Sequence, residues 1–236
     1  MPAEVPFHLG RGDTGPVQQS PVTCGSASLT VAKMLVNPEF ARWIVSGIDP
    51  SGGPPDSRPE RDRFAEHERA VMNRTNGFRA AGGQWNIPWP HALGTQPWGA
   101  KAELQHAAAR LDAVGPPPSG ANSPPAHGPA RPGAAYAMRL VRLDSSDALR
   151  EVHRDLVRLV REGLPALLYI GNTWLPRHVT LVLPGHGHGL DADGRLDVYD
   201  PATGSVTELA ADRFASRTLG LAGWNVPWIV VHPPLT

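Results

Sequence analysis

The chain has a single cysteine, no excess of charge of either sign, no long apolar run and no internal repeat. Each absence narrows what it can be. One cysteine excludes an intramolecular disulfide, so packing alone must hold the fold. Lys and Arg together number 22 and so do Asp and Glu, giving a formal net charge of zero. That balance offers no electrostatic footprint for nucleic acid or for an acidic membrane surface. No stretch approaches the roughly 20 apolar residues of a membrane span. The N-terminus, Met-Pro-Ala-Glu-Val-Pro-Phe, lacks the basic region and apolar core of a secretory signal. The expectation is a soluble protein of the cytoplasm, or one exported by a route that needs no cleavable signal.

What is present begins with length. At 236 residues the chain suits one domain with a proper core. Proline and glycine punctuate it unevenly. Residues 49–59 (Asp-Pro-Ser-Gly-Gly-Pro-Pro-Asp-Ser-Arg-Pro) cannot sustain a helix or a central strand. Residues 115–133 are richer still in both, and read as an exposed, disordered loop. We therefore expect a single domain over 1–236 with a flexible insertion at about 113–134.

Periodicity places the elements around these breaks. Residues 25–36 read as a helix, with Pro38 just beyond its end. Residues 60–74, rich in Arg, Glu and Ala, read as an exposed helix, and 101–111 as another with Leu104, Ala107, Ala108 and Leu111 on one face. The clearest helix is 146–162, capped by Ser145 or Ser146 and ended by Gly163, with Leu149, Val152, Leu156, Leu159 and Val160 at helical spacing. After Pro165 the pattern changes to short strands at 166–170, 178–183, 195–199, 205–209 and 227–232. Early helices followed by a late antiparallel sheet make the predicted class α+β.

The lone cysteine lies in Gln18-Gln19-Ser20-Pro21-Val22-Thr23-Cys24-Gly25-Ser26-Ala27-Ser28-Leu29, at the start of the first predicted helix. A cysteine nucleophile needs its thiolate form, which a helix N-terminus favours. It also needs donors for a developing oxyanion, here the Gln18 side-chain amide and the Cys24 backbone N–H, with Gln19 as the competing amide. A lone cysteine is also, commonly, just a small buried hydrophobe. A second segment weighs against that reading. Leu175-Pro176-Arg177-His178-Val179-Thr180-Leu181-Val182-Leu183 and Arg195-Leu196-Asp197-Val198-Tyr199-Asp200-Pro201 read as two strands of a hairpin. His178 opens the first and Asp200 closes the second, so antiparallel pairing brings them side by side. A carboxylate there would orient the imidazole for general-base work.

In Gln18, Cys24-Gly25, His178 and Asp200-Pro201 the chain resembles the papain-like cysteine peptidases. The branch it is most similar to is the bacterial one whose best-known members cut double-glycine leader peptides from bacteriocins. The resemblance covers roughly residues 15–36 and 160–209. It departs at Thr23, where that branch usually has Asp, and no attached transporter is expected. It implies a catalytic helix packed on a sheet that bears the base, and a peptide or protein substrate. It also implies hydrolysis through a thioester, with Cys24 as nucleophile, His178 as base, Asp200 orienting it and Gln18 holding the oxyanion. Deamidation or acyl transfer on a protein target, as by an effector or toxin, uses the same constellation, and a non-catalytic peptide-binding role is the alternative from another class.

Gly25, Trp174, Trp89 and Trp98 are the candidate substrate-binding residues: tryptophan suits the wall of a peptide groove, and Trp174 lies four residues before His178. Gly185-His186-Gly187-His188-Gly189 reads as the loop of the hairpin, since two histidines without a third ligand make a weak zinc site. Asp191-Ala192-Asp193-Gly194 reads as a turn. No metal and no cofactor is expected.

Overall fold

The computed structural model describes residues 7–49, 51–77, 94–112, 135–161, 163–185 and 194–233. Trp85, Trp89, the proline-rich stretch 115–133, the histidines of the 185–189 loop and the 191–193 turn residues lie outside the described residues.

Four helices come first: α1 (Cys24–Val36), α2 (Pro38–Ser46), α3 (Glu60–Asn76) and α4 (Pro97–Asp112). Then follow β1 (Ala137–Leu140), α5 (Ser146–Arg161), β2 (Ala166–Gly171), β3 (Pro176–Val182), β4 (Leu196–Asp200), β5 (Ser205–Leu209), α6 (Ala211–Ala215) and β6 (Val226–His232). The strands form one sheet in the order β1-β6-β2-β3-β4-β5, with every neighbouring pair antiparallel. The class is α+β, as the sequence predicts.

Side chains alternate across the sheet and so build two cores. Leu167 and Tyr169 of β2 join Leu181 of β3 and Tyr199 of β4 on one face, against Ala27, Leu29 and Val31 of α1. Ala166, Leu168 and Ile170 join Val182, Val198 and Val230 on the other, against Leu149, Val152 and Leu156 of α5 and Phe214 of α6. Every residue of β2 is buried, which explains its unbroken run Ala-Leu-Leu-Tyr-Ile. The helix of the clearest periodicity starts where expected: the Ser145 hydroxyl accepts the Ala148 N–H at 3.2 Å, and Gly163 stands just past its end at φ 79°.

Two sequence expectations change. Pro38 does not merely follow a helix; it begins α2, with Asn37 Oδ1 accepting the Phe40 N–H at 2.9 Å and Gly47 at φ 76° closing the other end. A proline at the first helical position loses no intrahelical bond, so the residue that stops α1 starts α2. Helix α3 is not an exposed helix. Phe64, Val71 and Met72 are buried, and so are Arg63 and Glu68. Arg63 is spent on α2, donating to the Ile44 carbonyl at 2.8 Å and the Val45 carbonyl at 2.9 Å, two of the last-turn acceptors the helix cannot satisfy itself.

Candidate active site

The start of α1 is built by the turn before it. Thr23 N–H donates to the Ser20 carbonyl at 3.1 Å, and the Thr23 hydroxyl bonds the same carbonyl at 2.9 Å. The first intrahelical bond is Ala27 N–H to Thr23 O, at 2.9 Å. The N–H groups of Cys24, Gly25 and Ser26 therefore precede the ladder and present the positive end of the helix beside the thiol. Cys24 is 4 % exposed.

Gly25 is required by what lies on it. A Cβ there would stand 2.5 Å from Thr95 Cβ and 2.7 Å from its Oγ1. Thr95 cannot retreat easily, because Tyr169 O–H donates to its carbonyl at 3.1 Å and Asn76 Nδ2 holds the preceding Gly94 carbonyl at 2.9 Å. Burial, with Cys24 as a neighbour, holds the Tyr169 phenol neutral, its pKa well above the ordinary value. The Cys-Gly pair thus lets the segment 94–96 close against the nucleophile's helix.

His178 is the third residue of β3 and Asp200 the last of β4. The register Leu181 to Tyr199 puts Thr180 opposite Asp200, so His178 and Asp200 are diagonal neighbours on one strand pair. His178 Nε2 and Asp200 Oδ1 are 2.7 Å apart, and both residues are buried. The Cys24 side chain lies close enough to the imidazole to act on its charge. With Nε2 committed to the carboxylate, Nδ1 is the ring nitrogen left for the thiol. Burial by itself pulls the imidazole pKa down. The hydrogen bonds and charges of Asp200 and Cys24 outweigh it and lift the value to about 9. Burial would likewise raise the Asp200 pKa, but the bond from His178 and the Ala202 N–H, at 2.9 Å, bring it below its ordinary value. The Thr203 hydroxyl donates to the second carboxylate oxygen at 3.2 Å.

The stretch leading to Cys24 is sewn to the same turn. Gly15 N–H donates to Gly204 O at 2.7 Å and Gln18 N–H to Pro201 O at 2.8 Å. Gly204 sits at φ 74°, where a Cβ would lie 2.4 Å from the Gly15 carbonyl oxygen. Gln18 is half-buried. Its Nε2 donates to Ser20 O at 2.8 Å, and its Oε1 is buried with no hydrogen-bond partner among the described residues. Gln19 is exposed, with its amide turned to the Val17 carbonyl at 2.9 Å. Of the two glutamines, Gln18 is the one turned toward the protein.

The structure thus brings Cys24, His178 and Asp200 together, with the imidazole hydrogen-bonded to the carboxylate and Gln18 tied by its backbone to the residue after Asp200. The tryptophans are less closely drawn in. Trp174 is 82 % exposed in the turn between β2 and β3, its N–H on Asn172 Oδ1 at 2.8 Å. Trp98 is half-buried as the second residue of α4, three residues beyond Thr95. Trp89 lies outside the described residues. Sequence reasoning missed Thr95 and Tyr169, for which no local signal exists, and Thr203, which the turn Asp200-Pro201-Ala202-Thr203-Gly204 could have suggested. Among the described residues, no three His, Cys, Asp or Glu side chains gather as a metal would require, and no helix is long and apolar enough to cross a membrane.

No protein-family model matches the chain, and no curated protein matches it. Among solved structures, it is similar to the peptidase domain of Streptococcus ComA, a bi-functional ABC transporter involved in a quorum sensing pathway. The likeness spans 94 % of this chain and 98 % of that one, at 16 % identity and a TM-score of 0.37. A likeness at that score does not decide function.

Proposed function

We propose that the protein is a cysteine hydrolase of the papain-like kind that cleaves an amide bond in a peptide or protein. The observation that carries this reading is a helix-N-terminal thiol beside a buried imidazole that is itself hydrogen-bonded to a buried carboxylate. Cys24 gives its proton to His178, the base beside it. The thiolate attacks the carbonyl carbon, and the carbonyl electron pair moves to oxygen. The Cys24 N–H and the Gln18 amide receive that oxyanion. On collapse the C–N bond breaks, the imidazolium protonates the leaving amine, and a thioester remains. Water, deprotonated by His178, then attacks the thioester and releases the acid and the thiol. Asp200 keeps the imidazole in one orientation and supports its charge throughout, held in turn by Ala202 and Thr203.

The test is digestion of a proteome-derived peptide library by the wild-type chain and by Cys24→Ala, read by mass spectrometry. New peptide termini that vanish in Cys24→Ala support the hydrolase. Deamidated glutamines without new termini would assign the same thioester chemistry to side-chain amides instead. Identical libraries before and after incubation with both proteins would contradict an enzyme and favour a peptide-binding role.

A further inference from the structure

Three acidic side chains are buried among the described residues: Asp200, Glu103 and Glu68. Asp200 has His178, and Glu103 has Arg74. Glu68, 0 % exposed in the middle of α3, has no cation within ion-pair distance among the described residues, and Arg69 acts on it only through its charge at longer range. Burying a carboxylate without a counter-charge is strongly unfavourable, so its hydrogen bonds must compensate. Both of its oxygens accept the Gln19 backbone N–H at 3.2 Å, and the Thr23 side chain, its hydroxyl proton on the Ser20 carbonyl, lies close enough to act on its charge.

These two partners occupy special places. The Gln19 N–H belongs to the peptide unit that joins it to Gln18. Thr23 is the residue whose carbonyl carbon carries the Cys24 N–H. The carboxylate therefore holds the turn 18–23 at its Gln19 end and faces it at its Thr23 end, in each case one residue from a donor assigned to the oxyanion. Between those ends the turn closes on itself, with the Ser20 N–H donating to Thr23 Oγ1 at 3.1 Å and Thr23 N–H to Ser20 O at 3.1 Å.

We infer that Glu68 is the positioning residue of the oxyanion-binding turn, anchoring it through the Gln19 N–H so that the Gln18 amide and the Cys24 N–H converge on one point. This inference rests on the hydrolase reading. Glu68 touches neither the thiol nor the imidazole; it acts on the geometry of the donors. Its role is therefore felt only in reactions that pass through an oxyanion.

Two thiol reagents separate these cases. Iodoacetamide alkylates by displacement at a saturated carbon: the sulfur–carbon bond forms as iodide leaves, and no oxyanion appears. p-Nitrophenyl acetate is attacked at its carbonyl carbon, its electron pair moves to oxygen, and collapse expels p-nitrophenolate. The expected result for Glu68→Ala is acylation slowed at least about tenfold, with alkylation within about twofold of wild type. Glu68→Gln retains an oxygen acceptor for the Gln19 N–H, and is expected to restore acylation to within about threefold of wild type. Glu68→Asp, which keeps the charge but shortens the reach, should lose acylation as Glu68→Ala does, and it serves the same comparison if the alanine variant does not fold. Acylation at the wild-type rate in Glu68→Ala or Glu68→Asp overturns the inference. So does an equal fall in both reactions, which marks a purely structural carboxylate. A wild-type thiol whose alkylation ignores removal of His178 overturns the hydrolase reading itself, and this inference with it.

Discussion

Two buried histidines, one in β3 and one in α5, differ in everything that matters for chemistry. His178 sits where β3 begins, between Cys24 and a carboxylate, and its pKa is lifted to about 9. His153 sits in α5, packed near Phe214, with only the Leu209 carbonyl to receive its Nε2–H at 3.1 Å. There burial wins and the pKa falls. His67, against Phe40 with Lys33 and Arg74 nearby, is pushed further, to about 3, by burial and then by those cations. Burial alone makes a neutral, inert imidazole. The partner carboxylate at the end of β4 makes the difference.

The strongest way to break this comparison is Asp200→Ala. It is expected to slow acylation of Cys24 by p-nitrophenyl acetate roughly 100-fold or more, because His178 loses the group that orients it and supports its charge. A stopped-flow trace indistinguishable from wild type would mean the carboxylate is ornamental.

Stability against pH comes next. His178 is protonated in both states below its unfolded pKa of about 6.5 and binds its proton more tightly when folded. Its contribution is thus complete below about pH 6.5 and lost as pH rises to about 9. The loss is on the order of 3 kcal/mol, read from urea midpoints across that window. Asp200→Asn should shrink that loss, because Cys24 alone then offsets the burial of His178. In the wild type the acid-side loss belongs to His153 and His67, whose depressed pKa values favour the neutral ring in the folded state. His153→Gln should flatten part of that limb and leave acylation unchanged.

Packing at the site is tested by Gly25→Ala. The added methyl meets Thr95, itself pinned through Tyr169, and should cost about 1–3 kcal/mol in urea denaturation. A neutral effect would mean that the segment 94–96 gives way freely. The smallest change is expected from Arg58→Ala, which removes exposed pairs with Asp56 and Glu66 and should leave the urea midpoint within replicate scatter.

How far the sequence foretold this comparison differs by element. The strands of His178 and Asp200 are legible because alternating apolar residues bracket both and a proline follows the second. Antiparallel pairing then places their ends together. Cys24 at a helix start is legible from the small residues that follow it. Helix α2 is hidden because Pro38 reads as a stop when it is a start. Strand β1 and α6 span four and five residues, too short to show a period. Glu68 is invisible for a different reason. It stands in Glu-Arg-Asp-Arg-Phe-Ala-Glu-His-Glu-Arg, a run that looks solvated, and only the packing of α3 on α1 reveals which charge turns inward. The second helix layer behind the sheet is legible as the helix 146–162, but nothing local says on which face it lies.

The central claim is that Cys24 and His178 act as a pair, and the pH dependence of Cys24 alkylation by iodoacetamide tests it most directly, in wild type and His178→Ala. The account predicts a wild-type rate that holds nearly constant from about pH 8.5 down to about pH 6, and a mutant rate that falls at least about tenfold over the same range, as for an unassisted thiol. A wild-type rate that falls in step with the mutant would contradict it, and would leave Cys24 a buried cysteine beside an imidazole that does nothing for it.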